Sequence, residues 1–434
     1  MNRVSIILDN PSRDTDYVLL IALNLISDGF EVSIVPTNMR HYELIQTQPN
    51  YVLYPHQRES SAKEISALKD CNIDVGVMET EQHHEDYYFK YQVPSNKESL
   101  RDVVHFFCWG TNFSKKLISD NLYKSQQIKT VGNPRLDPYL KLQREKNSKN
   151  VDYLIATSFS AGNPKYLGKS AQVKSLMSEN MSKKDSTEYR DIHIECMNLL
   201  IDNINQNRIS LSGNIILRPH PYEDESIYRK QILDKNIVVS NSDLISQTLV
   251  NSKSFIHYNS VSSVDASIFS IPIINLSWFP RNDNVHTSTP FMDAISYQPE
   301  DEKEMAELIE DVKENKLNPK KKIDDVIFSE YLYKVDSKAS TRIANEIRNY
   351  LKNTDTKNAK KNYPNPFNDI NSFEYSIKHL YAKNQWSKSN KKFNLESIKK
   401  RLYYLSDLFQ FDNQFEIGYV NTKGRNLTSI KIVK

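Results

Sequence analysis

Two long stretches of the chain repeat one pattern, in which short β-rich runs alternate with amphipathic helical segments. The first stretch covers residues 1–137 and the second begins at residue 151, after a polar and charged segment. Strands that alternate with helices form parallel sheets, because each helix carries the chain back across the sheet to start the next strand. The alternation therefore predicts an α/β protein with two doubly wound, Rossmann-like domains, which we expect to face each other across a cleft.

The predicted strands are the runs richest in β-branched and aromatic residues. In the first stretch they are Val4–Leu8, Phe30–Val35, Tyr51–Tyr54, Ile73–Met78, Val103–Phe107 and Ile128–Val131. In the second stretch they are Tyr153–Ala156, Asn214–Leu217, Ile237–Val239, Phe255–His257 and Ile271–Asn275. Ligands of such sheets bind at the carboxyl ends of the strands, so the residues that follow each strand are the candidates for function.

The pattern divides the chain into domains at 1–137 and 151–351, joined by a linker at 138–150, with a mainly helical extension at 352–434. The extension holds sixteen basic and seven acidic residues, a net charge of +9, so the rest of the chain carries −6 within a total of +3. Such segregation predicts that the basic extension contacts an anionic surface.

Residues 394–409 place apolar side chains at helical spacing. We favour the interpretation that this helix packs on the body. The alternative is that it lies on a membrane, in which case the contact would run through residues 378–409.

Composition excludes several classes of protein. The chain has nine glycines, none spaced as in a G-x-G-x-x-G fingerprint, and the stretch Gly162–Ser170 has one residue too many between its glycines for a P-loop. Three widely separated cysteines argue against a disulfide framework or a zinc site. The first residues do not form a signal peptide, and the apolar run Val18–Ile26 is too short to span a membrane. We therefore expect a cytoplasmic protein, peripheral at the inner face of the membrane if the extension binds lipid.

Arg218-Pro219-His220-Pro221 follows directly on a predicted strand. An arginine offers a planar fork to a phosphate, and a histidine adds a second donor or a proton. The prolines hold the loop extended. We favour a binding site here over the alternative, in which His220 only caps the next helix.

A serine-rich turn follows another predicted strand. Its hydroxyls and backbone N–H groups would start the predicted helix Val261–Phe269, where an anion binds readily. The alternative is that Ser260 is an ordinary N-cap. The predicted phosphate-binding residues of this turn are Asn259, Ser260, Ser262 and Ser263.

Two segments of the first stretch are also candidates. Gly132–Asp137 enters the linker, so the side chains of Asn133, Arg135 and Asp137 would face the cleft; a plain turn is the alternative. Glu79–Gln82 follows a strand and could supply a general base, although a solvated loop fits equally well.

No metal and no cofactor are predicted. His83–Asp86 has the composition of a polar loop. Asp14-Thr15-Asp16 is better explained as a helix start, with Asp14 or Thr15 as the N-cap of helix Asp14–Ser27, than as a metal-binding D-x-D motif.

The ordered set of these motifs resembles the bacterial surface-carbohydrate biosynthesis proteins, which are GT-B-like glycosyltransferases related to the capsule transferases that use CMP-activated Kdo. The resemblance covers roughly residues 1–350. The shared elements are Trp109-Gly110, Gly132–Asp137, a loop with Thr157 and Ser158, Arg218–Pro221, the serine turn, and Asp336–Ile343, where Ser337 replaces the family's glycine.

The resemblance implies a metal-independent transfer of a sugar from a CMP-linked donor to a glycan or glycolipid acceptor, with a Kdo-like acidic sugar as the leading candidate. The domain at 151–351 would bind the donor through Thr157, Ser158, Arg218, His220 and the serine turn. The domain at 1–137 would bind the acceptor, with Glu79, Trp109, Asn133 and Arg135 near it. The catalytic candidates are Glu81 as base, Asp137 as nucleophile of a retaining enzyme, and His220.

The resembling family has a D-E-E-G element at the position of Glu79–Gln82. This sequence differs from that element at the first acid and at the glycine. Two alternatives remain open. One is a CDP-alditol phosphotransferase of the teichoic-acid type, and the other is a non-catalytic scaffold in glycan assembly. No nucleic acid partner is expected.

Overall fold

A computed structural model of the protein describes residues 2–142, 150–165, 168–177, 181–242, 244–282, 289–354, 373–389, 391–422 and 425–434. The chain forms two compact units. Unit 1 consists of Met1–Gln82, Val93–Lys141 and Phe328–Lys434, and unit 2 of His83–Gln92 and Leu142–Ile327.

The first eleven strands follow the β-rich runs of the sequence, with shifts of at most three residues at their ends, and the last two were not predicted. They are Arg3–Leu8 (β1), Glu31–Pro36 (β2), Tyr51–Tyr54 (β3), Asp74–Val77 (β4), His105–Cys108 (β5), Ile128–Thr130 (β6), Val151–Ala156 (β7), Ile215–Arg218 (β8), Ile237–Val239 (β9), Ser252–His257 (β10), Ile273–Asn275 (β11), Glu416–Thr422 (β12) and Arg425–Val433 (β13).

The helices connect these strands and dominate the chain after residue 300. They are Pro11–Ser27 (α1), Arg40–Thr47 (α2), Glu59–Asp70 (α3), Glu85–Tyr87 (α4), Thr111–Ser119 (α5), Asp137–Lys141 (α6), Lys169–Met177 (α7), Lys183–Asn205 (α8), Glu225–Gln231 (α9), Ile245–Val250 (α10), Ser262–Ser267 (α11), Pro290–Ile295 (α12), Glu302–Lys313 (α13), Val326–Leu332 (α14), Ala339–Asn353 (α15), Phe373–Ser387 (α16) and Leu395–Phe409 (α17).

The sheet of unit 1, within the described residues, has the strand order β12-β13-β2-β1-β3-β4-β5-β6. Strands β1 to β6 are parallel, whereas β13 pairs antiparallel with β2 and β12 pairs antiparallel with β13. Because β1 has β2 on one side and β3 on the other, the strand order reverses between β1 and β3. A crevice for a ligand forms at such a reversal, beyond the carboxyl ends of the strands.

Helix α1 begins at Pro11 after Asn10, so neither Asp14 nor Thr15 is its N-cap. Proline suits the first turn of a helix, where its missing N–H has no partner to lose. The Asp14 carboxylate lies inside the first turn, fully buried, and accepts a hydrogen bond from the Asn10 N–H at 3.1 Å. The predicted helix was right, but its start lies three residues earlier.

The basic extension is an integral part of unit 1. Helix α17 places Ile398, Leu402 and Leu405 in the same apolar core as α1 and α15, and strand β13 adds Ile430 and Ile432. This burial decides between the two interpretations of residues 394–409: the apolar face of α17 packs on the body. The β-hairpin β12–β13 was not predicted, and the extension is therefore helical only in part.

Unit 2 has a five-stranded parallel sheet in the described residues, with the order β11-β10-β7-β8-β9. Its first strand, β7, lies in the middle with β8 on one side and β10 on the other, so here the order reverses between β7 and β10. Helices α8 and α13 pack on this sheet and contribute apolar side chains to its core. This is the arrangement that the alternating pattern predicts.

The structure divides the chain differently from the sequence pattern near residue 351. The predicted second domain ended there, but residues from Phe328 onward belong to unit 1. Helix α15 explains the difference, since its buried Ile343, Ile347 and Leu351 complete the core around α1. Among the described residues, none of the helices has the length and apolar character that crossing a bilayer requires.

Candidate functional site

The reversal point in unit 2 brings together three predicted loops. In the parallel register Ala156 at the end of β7 pairs with Arg218 on β8 and with His257 on β10. The residues after these three strands therefore lie side by side at one edge of the sheet. The Ser158 hydroxyl donates to the Tyr258 carbonyl oxygen and ties the first loop to the serine turn.

Arg218 is the last residue of β8 and is partly exposed. The Nδ1 atom of His220 accepts a hydrogen bond from the Tyr222 backbone N–H at 3.3 Å. A neutral imidazole that accepts at Nδ1 carries its proton at Nε2, so His220 presents a donor. The loop thus combines a guanidinium with an imidazole N–H, the two groups predicted from the sequence for binding phosphate.

His257 holds the serine turn by hydrogen bonds, whereas the sequence pattern predicts it only as the end of a strand. Its Nδ1 accepts from the Ser260 N–H at 3.1 Å, and its Nε2 contacts the Ser296 hydroxyl at 3.1 Å. Complete burial lowers the pKa of His257 to about 3, so the ring is neutral. A neutral ring accepting at Nδ1 must donate from Nε2, and both bonds hold the turn in place.

The polar atoms of the serine turn face different partners. The Ser260 hydroxyl accepts from the Ser262 N–H at 3.3 Å, so Ser260 does act on the start of the helix. The Ser263 hydroxyl is buried and makes no hydrogen bond to the residues that the structure describes. Asn259 has a φ of 45°, in the left-handed region. Helix α11 is six residues long, shorter than predicted, so its dipole contributes less to binding an anion than the longer helix would.

Glu223 connects the first two loops, and the sequence did not reveal it. The buried carboxylate accepts from the Thr157 hydroxyl at 2.8 Å, from the Phe159 N–H at 2.6 Å and from the Tyr228 hydroxyl at 2.5 Å. Its backbone N–H donates to the His220 carbonyl oxygen at 2.8 Å. Burial raises the pKa of Glu223 to about 7, although these donors oppose the shift. The predicted ligand Thr157 is thus occupied by Glu223.

The pattern of residues 223–234 in the sequence predicts a helix with Glu223 at its start, where acidic residues are common. Helix α9 begins two residues later, and Asp224 is its N-cap. Nothing in the local pattern distinguishes an acid in a first helical turn from one that folds back under a loop, because two of its three donors, Thr157 and Phe159, lie 66 and 64 residues earlier in the chain.

The edge of the unit 1 sheet carries a network of paired charges. Arg58 Nη2 lies 2.9 Å from Glu79 Oε1 and 3.4 Å from Glu81 Oε2. Arg13 binds Glu81 at 3.1 Å and Asp14 at 2.7 Å. The sequence analysis selected the two glutamates but neither arginine. The arginines follow β1 and β3, the two strands at the reversal point.

The two glutamates differ in access. The Glu79 side chain is fully buried, and burial raises its pKa against the lowering influence of Arg58. The Glu81 side chain is 35% exposed. Only Glu81 is therefore placed to meet a substrate directly. The loop that carries both is held by Gln82, whose amide donates to the Phe107 carbonyl oxygen at 2.8 Å.

The other predicted residues of the first domain have structural contacts. Trp109 is buried, and its backbone N–H donates to the Gln82 side chain at 2.7 Å. Asn133 is also buried and accepts from the Arg135 N–H at 3.1 Å. Arg135 is 5% exposed. These burials do not favour the predicted contact of Trp109, Asn133 and Arg135 with an acceptor.

Asp137 caps helix α15. Its carboxylate accepts from the Ala339 N–H at 3.1 Å and from the Ser340 N–H at 2.7 Å, and burial raises its pKa to about 6. Both oxygens are engaged, which argues for a structural role and against a nucleophile.

Residues 131–137 and residues 336–342 make a second contact through Arg342. Arg342 donates to the Val131 carbonyl oxygen at 2.6 Å and binds Asp336 through its other nitrogens. Ser337 has a φ of 58°, a conformation that glycine adopts without strain, which explains why the resembling family has glycine at this position.

Among the described residues, no cluster of three or more histidine, cysteine or acidic side chains could hold a metal ion. The charged residues described at these two edges are arginines and carboxylates.

Comparisons with known proteins identify the architecture. No protein-family model matches the sequence, and no curated protein matches it. Solved structures do. The S. aureus MnaA–UDP complex is 14% identical, covers 81% of this chain and 97% of its own, and has a TM-score of 0.53. The Neisseria meningitidis UDP-GlcNAc 2-epimerase bound to UDP-GlcNAc is 12% identical, with coverages of 81% and 100% and a TM-score of 0.50.

The chain has the GT-B fold. Identities this low carry the fold alone, so the chemistry has to be argued from the residues. The similarity spans both units and confirms the predicted pair of Rossmann-like domains.

Proposed function

We propose that the protein is a GT-B glycosyltransferase whose unit 2 binds a nucleotide-sugar donor and whose unit 1 binds a glycan acceptor. The observation that carries the proposal is that Arg218 and His220 follow β8 and the serine turn follows β10, the two parallel strands that flank β7 at the reversal point of unit 2. Doubly wound sheets bind nucleotides at this position.

The chemistry of the unit 2 edge suits a phosphate leaving group. The Arg218 guanidinium would supply positive charge, and the His220 Nε2–H would donate to a phosphate oxygen as negative charge develops there. Ser158, Asn259, Ser260, Ser262 and Ser263 would add polar contacts. Thr157 would act through Glu223, which its hydroxyl binds.

The acceptor chemistry would be carried by Glu81. Two arginines, Arg13 and Arg58, fix the position of this carboxylate, and its partial exposure would let the hydroxyl of an acceptor reach it and transfer a proton to it. Glu79 would position Arg58. Trp109, Asn133, Arg135 and Asp137 have no direct role in this proposal.

The donor is proposed to be CMP-linked and its sugar Kdo-like, on the resemblance of the ordered motifs. The two similar structures are complexes with UDP and with UDP-GlcNAc, so a UDP-linked donor is the specific alternative.

Calorimetric titration with CMP, CDP and UDP, followed by mass spectrometry of products from CMP-Kdo, CDP-glycerol and UDP-GlcNAc, tests the proposal. Binding of CMP with transfer of the sugar to a glycan acceptor supports it. Selective use of CDP-glycerol would replace it by alditol-phosphate transfer, and conversion of UDP-GlcNAc without an acceptor by epimerisation. Binding of none of the three nucleotides would favour a scaffold.

A further inference from the structure

Helix α16 carries an apolar patch that lies outside the core and is exposed to solvent. Ile377, Leu380 and Tyr381 are 50%, 63% and 66% exposed. Their spacing of three and four residues places them on one face of the helix. The other large apolar side chains that the structure shows as exposed are scattered along the chain: Ile118, Met177, Leu233, Val238, Val326, Tyr404 and Tyr419. A cluster of this kind marks an interaction surface, whereas isolated exposed side chains do not.

The opposite face fixes the helix on unit 1. Trp386 is 8% exposed, and its indole N–H donates to the Lys391 carbonyl oxygen at 3.1 Å. The His379 Nε2 atom lies 3.1 Å from the Glu43 carboxylate, which also accepts from the Thr428 N–H of β13. Residues 379 and 386 lie seven apart and share a helix face. Because that face is anchored, the apolar patch is held outward.

The charge around the patch is positive. Lys378 and Lys383 lie about 100° to 120° from the centre of the patch, one on each side. Residues 373–400 contain seven lysines and two acidic residues. Of these lysines, Lys391 is engaged with Asp9 at 2.6 Å, whereas Lys388, Lys392, Lys399 and Lys400 are exposed.

We propose that this face of α16, made of Ile377, Leu380 and Tyr381 with Lys378 and Lys383 beside them, binds the surface of an anionic lipid bilayer. Apolar side chains would enter the interfacial region while the lysine stems extend to the phosphates. A second copy of this chain fits less well, because two such basic faces would repel each other. The proposal moves the membrane contact predicted for residues 378–409 onto α16, and it does not rest on the identity of the donor.

Co-sedimentation with vesicles of phosphatidylglycerol and phosphatidylcholine, compared with phosphatidylcholine alone, tests this surface. The full-length protein should bind the anionic vesicles, and added salt should weaken binding. Leu380→Glu should reduce partitioning at least about tenfold, since it removes a leucine that the bilayer would bury and adds a charge that anionic lipid repels. Lys378→Gln with Lys383→Gln should also weaken it. Leu233→Glu is the matched control, because Leu233 in unit 2 is 74% exposed, and it should bind as the wild type does.

Equal binding by Leu380→Glu and wild type would overturn the proposal, as would no binding to anionic vesicles. A dimer in light scattering that Leu380→Glu dissociates would assign the patch to a second copy instead. Nucleotide binding and circular dichroism measured on the same variants separate loss of this surface from misfolding or failure of the proposed donor site.

Discussion

The strand-end edges of the two sheets occupy equivalent places in their units but use polar residues in opposite ways. In unit 1 the charged side chains form ion pairs with one another, as Arg58 does with Glu79 and Arg13 with Asp14. In unit 2 the buried titratable groups are held close to neutrality, with the pKa of His257 lowered to about 3 and that of Glu223 raised to about 7.

Because of this difference, the two edges suit different ligand groups. A network of paired charges is already neutralised and offers carboxylates and guanidinium groups to the hydroxyls of a sugar. An edge of hydroxyls, backbone N–H groups and neutral rings, together with the guanidinium of Arg218, offers hydrogen-bond donors to a phosphate. The Glu223 carboxylate is buried below this edge, where it accepts from Thr157, Phe159 and Tyr228.

The largest effect should come from the cation of the unit 2 edge. Arg218→Ala should lower transfer by about 100- to 1,000-fold, because a charged donor to the leaving phosphate is lost. His220→Ala should also abolish most transfer. Arg229→Ala removes an exposed arginine of the same unit, 53% exposed in its side chain, and should leave the rate unchanged. Steady-state kinetics and calorimetric titration of the nucleotide provide the measurement.

Full activity in Arg218→Ala would remove the basis of the comparison. It would mean that the polar atoms at this edge only hold the loops, as Glu223 and His257 do.

The next effect concerns Glu223. Its folded pKa of about 7 lies above the ordinary value of 4.5, so the folded protein binds this proton more tightly than the unfolded chain. The associated stability, about 3 kcal/mol at most, is fully present below pH 4.5 and is lost as the pH rises through 7. Glu223→Gln should abolish this slope in urea unfolding measured from pH 4 to 8, and should weaken nucleotide binding.

Glu225→Gln is the control for this experiment, because Glu225 lies two residues later and pairs with Arg229 on the surface. A pH slope that Glu225→Gln also abolished would show that Glu223 is not its source.

The smallest effect concerns unit 1 and separates a cap from a nucleophile. Asp137→Ala should cost about 2 kcal/mol of unfolding free energy, since two buried N–H groups lose their acceptor. Asp301→Ala removes an exposed cap that accepts from one N–H and should cost about 1 kcal/mol. Activity per folded molecule should persist in Asp137→Ala. Its loss in a fully folded variant would restore Asp137 as the nucleophile.

Most elements were predictable because their patterns are local. The run of apolar residues in β3 was predicted at its observed bounds. The burial of individual residues was harder to predict. Arg58 and Glu223 look like surface residues in the sequence, because Glu79, which pairs with Arg58, lies 21 residues away and Thr157, which donates to Glu223, lies 66 residues away.

The sequence by itself determined the two Rossmann-like domains, the loops after β7, β8 and β10 as the candidate donor site, and the basic character of the extension. Periodicity and the rule that ligands bind at the ends of parallel strands suffice for these. The tertiary structure alone decided that β13 joins β2, that Asp137 caps α15, and that α17 is buried while α16 exposes its apolar face. These outcomes depend on which distant surfaces pack together, and no local window of the sequence contains both partners.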